Sequence, residues 1–251
     1  MKHPRVAAAV LLVLLLAGWE AAARWFHVSA LVLPAPSVVA AALWRGLGSG
    51  YLWPHLAQTG LEVGLGLTLG GAMGFAGGIV LGESEALRRV LMPYVVTSQV
   101  VPKLALGPLF IVWFGFGTLP TVVMTALICF FPLLENTLTS VLKVDGQRLE
   151  LFRMLRASRW QTLWRLKIPA GLPGIMAGLR VAVVLALVGA VVGEFVGASK
   201  GLGALIIVSQ GMMDTPLMFA VLTLITAMGL VMYQCTLKLE QCLLKAYLEN
   251  S

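Results

Sequence analysis

Glu150, Arg153, Arg156, Ser158, Trp160 and Trp164 fall within one stretch, LELFRMLRASRWQTLWRLKIP, from Leu149 to Pro169. These are residues of recognition rather than of bond making. A carboxylate and several guanidinium groups offer charge-assisted hydrogen bonds to a partner. Two tryptophans offer large apolar surface with a polar edge. Hydrolytic or covalent chemistry needs other sets, and they are absent. There is no HExxH, no GxSxG and no cluster of histidine with aspartate; Cys129, Cys235 and Cys242 stand alone, and His3, His27 and His55 share no ligand spacing. A GxxxxGK[ST] phosphate loop is also missing, since GASKG (Gly197 to Gly201) has neither the length nor the order.

The basic stretch reads as two short helices. Glu150 to Leu155 form the first, and Ser158 N-caps the second, with Gln161 three residues on completing a capping box. Trp160, Leu163 and Trp164 then fall at i, i+3, i+4 and make one apolar face, while Arg159, Arg165 and Lys167 decorate the remainder. Two uses fit such a helix. It rests on anionic lipid, or it docks a partner.

The elements around it belong in a bilayer. Of 251 residues, 59% are hydrophobic and only 12% charged, and mean hydropathy is +0.92; soluble domains carry about 25% charge. Twelve prolines and 27 glycines in so apolar a chain suit membrane helices. Six apolar segments follow: 6–26, 59–82, a broken one over 90–117, 119–140, 170–196 and 216–237, with the basic loop at 141–169. They form a single all-α domain over 1–251. The first segment has two readings. Lys2, His3 and Arg5 before a short apolar run, with Ala21-Ala22-Ala23 after it, resemble a signal peptide. Glu20 and Arg24, four apart, instead suit one retained helix.

Basic residues orient the chain. With the N-terminus inside, inner segments hold Lys2, Arg5, Arg88, Arg89, Lys143, Arg148, Arg153, Arg156, Arg159, Arg165, Lys167, Lys238 and Lys245, which is 13 of the 18 lysines and arginines. Arg24, Arg45 and Lys200 lie outside, and Lys103 and Arg180 fall within apolar segments. The imbalance predicts both termini and the basic loop in the cytoplasm. The net charge of +7 is therefore an orientation signal, and no nucleic-acid partner is expected.

Spacing within the spans carries more. Gly66, Gly70, Gly74, Gly78 and Gly82 recur every fourth residue, as do Gly189, Gly193 and Gly197. Such stripes let helix backbones approach closely, in a bundle within one chain or along a dimer seam. The third segment breaks at VVPKLALGPLF, where Pro102 and Pro108 each remove a backbone donor beside Lys103. A break at membrane depth borders protein or a water-filled cavity, which makes Lys103, Leu104 and Leu106 candidates for a solute path. Alternatively 90–101 lies along the inner surface and Lys103 snorkels to the interface. Glu194 lies about 24 residues beyond the inner start of the fifth span, roughly 36 Å along a helix. It is expected near the outer interface, either as a hydrated helix-end carboxylate or as part of an outer gate.

Leu149 to Pro169 resembles the EAA motif of permease subunits from binding-protein-dependent ABC importers, with Glu150 as its acidic residue and Ile168-Pro169 as its ending. Leu151 and Phe152 replace the motif's small pair, and Arg156 stands where glycine is usual. Glycine there supplies a left-handed helix stop, so the sharpness of this turn stays open, while Ala157-Ser158 still matches. LPAPSVV, GYLWPHL, VPKLALGPLFIVWFG and GLPGIMAGLRVA follow in the order and spacing of the nitrate/sulfonate/taurine branch. VVGEFVGASKGLG with DTPLMFA is most similar to relatives handling thiamine-precursor pyrimidines or riboflavin-like heterocycles.

The resemblance implies a type I importer permease of about six transmembrane helices in the bacterial inner membrane. It implies two permease copies forming the pore as a homodimer, two copies of a separate ATPase subunit holding ATP and Mg, and an extracytoplasmic solute-binding protein. The permease itself then binds no cofactor, and its surroundings are membrane lipid. Coupling falls to Glu150, Arg153, Arg156, Ser158, Trp160 and Trp164. Two other classes compete. A transporter or channel working without ATP is expected to show inverted repeats or paired intramembrane acids, for which Glu62 and Glu194 are the candidates. A membrane-embedded enzyme needs a catalytic constellation that the sequence lacks.

Overall fold

The computed structural model describes Pro4–Leu248, so Lys2 and His3 of the N-terminal basic cluster lie outside the described residues. Eleven helices run through them: α1 (Pro4–Trp25), α2 (Pro36–Gly48), α3 (Trp53–Glu83), α4 (Glu85–Val100), α5 (Gly107–Phe114), α6 (Thr118–Leu142), α7 (Gly146–Met154), α8 (Arg159–Thr162), α9 (Ile168–Gly197), α10 (Leu202–Gly211) and α11 (Thr215–Leu248). A 3-10 turn, Lys103–Leu106, leads into α5, and a π-helical turn, Leu163–Lys167, joins α8 to α9. Five helical stretches are long and apolar enough to cross a membrane, and the bent pair α4–α5 makes a sixth if it counts as one span.

Helix α6 is the axis of the bundle, packed between α3 on one side and α9 on the other. The glycine stripe of α3 is why the first of these contacts forms. A Cβ at Gly70 or Gly74 would run into the backbone of Ala126 or Phe130, and one at Gly66 into Thr125. The stripe on α9 does the same work from the other side, with Gly189 against Thr125 and Gly193 against Thr121. Both stripes thus pack the chain on itself, and residues of α3 and α9 reach α6 at close backbone range. Val63, Cys129, Ala182, Ala186, Leu187 and Ala190 fill the space between. Helices α1 and α11 leave most of their apolar surface uncovered.

Several polar and charged groups within the bundle find partners inside the chain, as a membrane bundle favours. Pro132 interrupts α6, and the Asn136 side chain donates to the Pro132 carbonyl at 2.8 Å. Arg180, a charge within the fifth apolar segment, pairs with Glu240 of α11. At the first segment, Glu20 and Arg24 pair at 2.6 Å within the continuous α1, and Glu20 also receives the Ser37 backbone N–H at 2.9 Å, which fixes the start of α2.

Two elements have no counterpart in the six apolar segments. Helix α2 is announced by Pro36 at its first turn, and α10 follows the left-handed Gly201. Both are too short to span, so a count of long apolar runs passes over them. The third segment bends by 80° between α4 and the Lys103–Phe114 stretch. Met92 and Val95 of α4 pack against Leu81, Leu134 and Leu138, beside the ends of α3 and α6 that face the basic loop.

Candidate functional site

The basic loop and the far end of the bundle hold two clusters of polar and charged side chains, and α9 connects them. At the loop end, α7 begins at Gly146 rather than Glu150, because Asp145 caps it by accepting the Gln147 N–H at 3.0 Å. The helix stops in a Schellman closure. The Ala157 N–H donates to the Phe152 carbonyl and the Arg156 N–H to that of Arg153, both at 3.0 Å. Arg156 itself takes the left-handed conformation, with φ +50°. The turn is therefore as sharp as a glycine would make it, and an arginine bears the conformational strain of about 1 kcal/mol.

Ser158 starts α8 with the capping box that its spacing to Gln161 predicts. Its hydroxyl accepts the Gln161 N–H at 3.2 Å, and the Gln161 carboxamide oxygen accepts the Ser158 N–H at 2.8 Å. The expected single apolar face divides in two. Leu163 turns inward and is buried with Leu166, whereas Trp160 and Trp164 stack edge to face at 5.5 Å and stay 68% and 46% exposed. The wider π-helical turn, together with burial of Leu163 and Leu166, separates the leucine from the tryptophans. Glu150, Arg153, Arg156 and Ser158 are exposed beside them, as are Leu151, Met154 and Leu155. Below this surface Lys167 pairs with Glu83 of α3 at 2.6 Å, with both side chains largely covered.

At the other end of α9, Glu194 is only 1% exposed. The expectation of a hydrated helix-end carboxylate is thus corrected. Glu194 lies near the end of α9, as the span arithmetic expects, but the turn between α9 and α10 folds over it and buries it. Thr59 of α3 donates its hydroxyl to Glu194 Oε1 at 2.6 Å, and the Gly203 N–H donates to Oε2. Thr59 Oγ1 also accepts the Leu202 N–H at 2.8 Å, and His55 Nδ1 lies 2.9 Å from the Gly201 carbonyl oxygen. Gly201 sits at φ +129°, and a Cβ there would strike the Glu194 carboxyl. Only glycine meets both demands.

Glu62 completes this junction. It is fully buried with the Glu194 carboxyl as a neighbour, and its Oε1 accepts from Gln58 Nε2 at 2.7 Å. The same Gln58 amide reaches Thr118 Oγ1 of α6 at 2.7 Å. Sequence reading found the two acids but not their meeting, nor the parts played by His55, Gln58, Thr59, Gly201 and Gly203. The available signal was QTGLE, where Gln58 and Glu62 are i, i+4 near one end of a span, with GASKGLG closing the same end of another. Glu135, exposed on α6, is a further acid within the apolar segments.

Lys103, Leu104 and Leu106 occupy the 3-10 turn at the 80° bend, remote in kind from both constellations. Lys103 and Leu106 are half-buried and Leu104 is 52% exposed. Gly107, next in the chain, sits where a Cβ would press on Val196 of α9 and Met124 of α6. Val100, Val112, Trp113 and Phe116 leave a broad apolar face uncovered along this segment.

Comparison with known proteins gives these features a family. Residues 66–240 match the family described as binding-protein-dependent transport system inner membrane component. The riboflavin transport system permease protein RibX of Chloroflexus aurantiacus is 37% identical over 243 residues, covering 96% of this chain and 90% of that protein. The formylaminopyrimidine transport permease protein ThiX of Halalkalibacterium halodurans is 33% identical, covering 90% of each chain. Among solved structures, an inward-facing MetNI methionine ABC transporter matches with TM-score 0.63 and 19% identity, over 76% of this chain and 94% of that one. This last likeness is one of fold.

Proposed function

The chain belongs to the family of binding-protein-dependent transport system inner membrane components, and on that premise we propose how this importer permease works. The observation that carries the reading is the division of labour in the α7–α8 loop. Leu163, Leu166 and Lys167 anchor the loop in the bundle, while Glu150, Arg153, Arg156, Trp160 and Trp164 are presented outward. That surface docks a separate ATPase subunit, one for each of two permease copies. Ser158 holds the helix start rather than meeting nucleotide. ATP and Mg bind on the ATPase, and this chain is a transporter subunit without a cofactor of its own.

The loop is cytoplasmic in this reading, as are both termini, and the Glu62–Glu194 junction faces the extracytoplasmic binding protein. The helix from Arg159 through Gly197 is continuous over 39 residues, roughly 58 Å at 1.5 Å per residue. Displacement of the docked surface therefore reaches the opposite side as a lever motion. The ATP state needs only to bias a bundle with inward-open and outward-open arrangements. A second copy covers the apolar face along α4 and α5, forming a homodimer in lipid, and the turn of Lys103, Leu104 and Leu106 borders the path, with Glu194 at the outer gate. The solute is a small organic molecule of the kind for which the relatives are named, a thiamine-precursor pyrimidine or riboflavin-like heterocycle, or a sulfonate-, taurine- or nitrate-type anion. Paired acids are also what an ATP-independent transporter would offer, but family membership favours the ATP-driven reading.

The test is reconstitution of the permease with its ATPase and binding protein. Glu150→Lys is expected to abolish solute-stimulated ATP hydrolysis while the permease still purifies as a folded bundle. Normal transport by that variant would end the docking assignment.

A further inference from the structure

We propose that Glu62 and Glu194 hold one proton between them, carried on Glu62 Oε2 and donated to the Glu194 carboxylate, and that this proton locks the α9–α10 turn against α3. The proposal stands on the geometry of the junction and needs neither the ATPase assignment nor the identity of the solute.

Donors and acceptors at the two carboxyls are unequal. Glu194 meets donors only: the Thr59 hydroxyl at Oε1, and at Oε2 the Gly203 N–H. Gly203 lies in the first turn of the ten-residue α10, where backbone N–H groups lack helical partners and favour an anion. Every contact that Glu194 makes with these groups suits an ionised carboxylate. Glu62 is different. Its Oε1 accepts from Gln58, while Oε2 is buried with no protein donor at all. A carboxylate oxygen left that way inside a bundle forfeits its hydration. A carboxylic acid there has an O–H to give, and the adjacent Glu194 carboxyl is the acceptor in reach.

Charge points the same way. Two neighbouring carboxylates cannot readily both ionise in a buried site unless a cation lies between them. The neighbouring elements supply none. Helix α3 brings His55, which is engaged with Gly201; α6 brings the Thr118 hydroxyl through Gln58; the α9–α10 turn brings Lys200, which is exposed. Among the described residues no third histidine, cysteine or acid joins the pair to make a metal site. A shared proton removes one of the two charges without any further ligand. Gly201 and Gly203 show how closely the turn packs on Glu194, since a Cβ at either would meet its side chain. The consequence is a latch with three parts from three segments: the neutral acid on α3, the anion on α9 and the backbone donors of the turn into α10.

The measurement is infrared spectroscopy of the full-length chain, purified with its ATPase subunit in lipid nanodiscs at neutral pH. Subtracting the spectrum of Glu62→Gln from that of the wild type isolates the signal of Glu62 and removes that of Glu135. The difference is expected to contain the carbonyl stretch of a protonated carboxyl. Glu62→Gln is also expected to unfold at the wild-type midpoint, because its amide N–H replaces the acid O–H as donor to Glu194, whereas Glu62→Leu unfolds earlier. If Glu62→Gln does not fold, Glu62→Asp carries the same test, and the band must move to the frequency of an aspartic acid. A difference spectrum showing loss of a carboxylate, rather than of a protonated acid, would overturn the proposal. So would destabilisation by Glu62→Gln equal to that by Glu62→Leu, or a protonated band that survives Glu62→Gln and disappears in Glu194→Gln.

Discussion

The two ends of α9 carry two clusters of polar side chains and use them in opposite ways. At the loop end the charged and aromatic side chains point away from the bundle, and the folded chain makes little use of them. At the far end every polar atom of Thr59 and Glu194 is spent on another part of the same molecule. An exposed set of groups is available to a partner, whereas a buried set can act only by holding or releasing its own backbone. Stability and coupling should therefore separate cleanly between the two ends, and each variant below tests that separation.

The largest expected effect is on folding, from Glu194→Ala. It leaves the Gly203 N–H buried without an acceptor and the Thr59 hydroxyl with only the His55 carbonyl at 3.2 Å, at about 1–3 kcal/mol for the orphaned donor and about 2 kcal/mol more for the cavity. Unfolding in detergent should show a loss of about 3 kcal/mol or more. Gly201→Ala attacks the same junction without touching an ionisable group. It forces alanine to φ +129° with its Cβ against Glu194, and about 2 kcal/mol should be lost on the same assay. An unchanged midpoint in either variant would mean that the junction does not hold the fold.

Loop variants should do the reverse. Trp160→Ala with Trp164→Ala removes exposed surface, so stability should change by no more than about 0.5 kcal/mol. Affinity for the ATPase subunit, read by co-purification titration, should fall by at least about tenfold, or 1.4 kcal/mol. The smallest effect runs in the favourable direction. Arg156→Gly relieves the left-handed strain and should stabilise the loop by about 1 kcal/mol, visible as slower amide exchange of α7. Faster exchange would show that the guanidinium makes a compensating contact.

Much of this architecture was legible in the sequence because membrane helices announce themselves by length and apolarity. The glycine stripes identified the seams, and SRWQ announced its capping box. What stayed hidden depended on groups brought together from distant segments. Nothing local in QTGLE says that Glu62 will face Glu194 across more than a hundred residues, and a depth calculation along one helix cannot see the turn that covers its end. The direction of Leu163 was hidden for a related reason. A helical wheel assumes 3.6 residues per turn, and the π-helical turn at Leu163–Lys167 changes that count. Arg156 taught the converse, because the motif's glycine was absent yet its backbone conformation was kept.

The central claim is that the outward face of α8 meets a partner ATPase, and a photo-crosslinking residue at position 160 tests it most directly. Val231, 62% exposed on α11, supplies the comparison position. In intact membranes holding the assembled transporter, the probe at 160 should yield a product of permease joined to ATPase subunit, and the probe at 231 should not. Products at 160 confined to lipid or to the permease itself, with the ATPase present in the same membranes, would contradict the account.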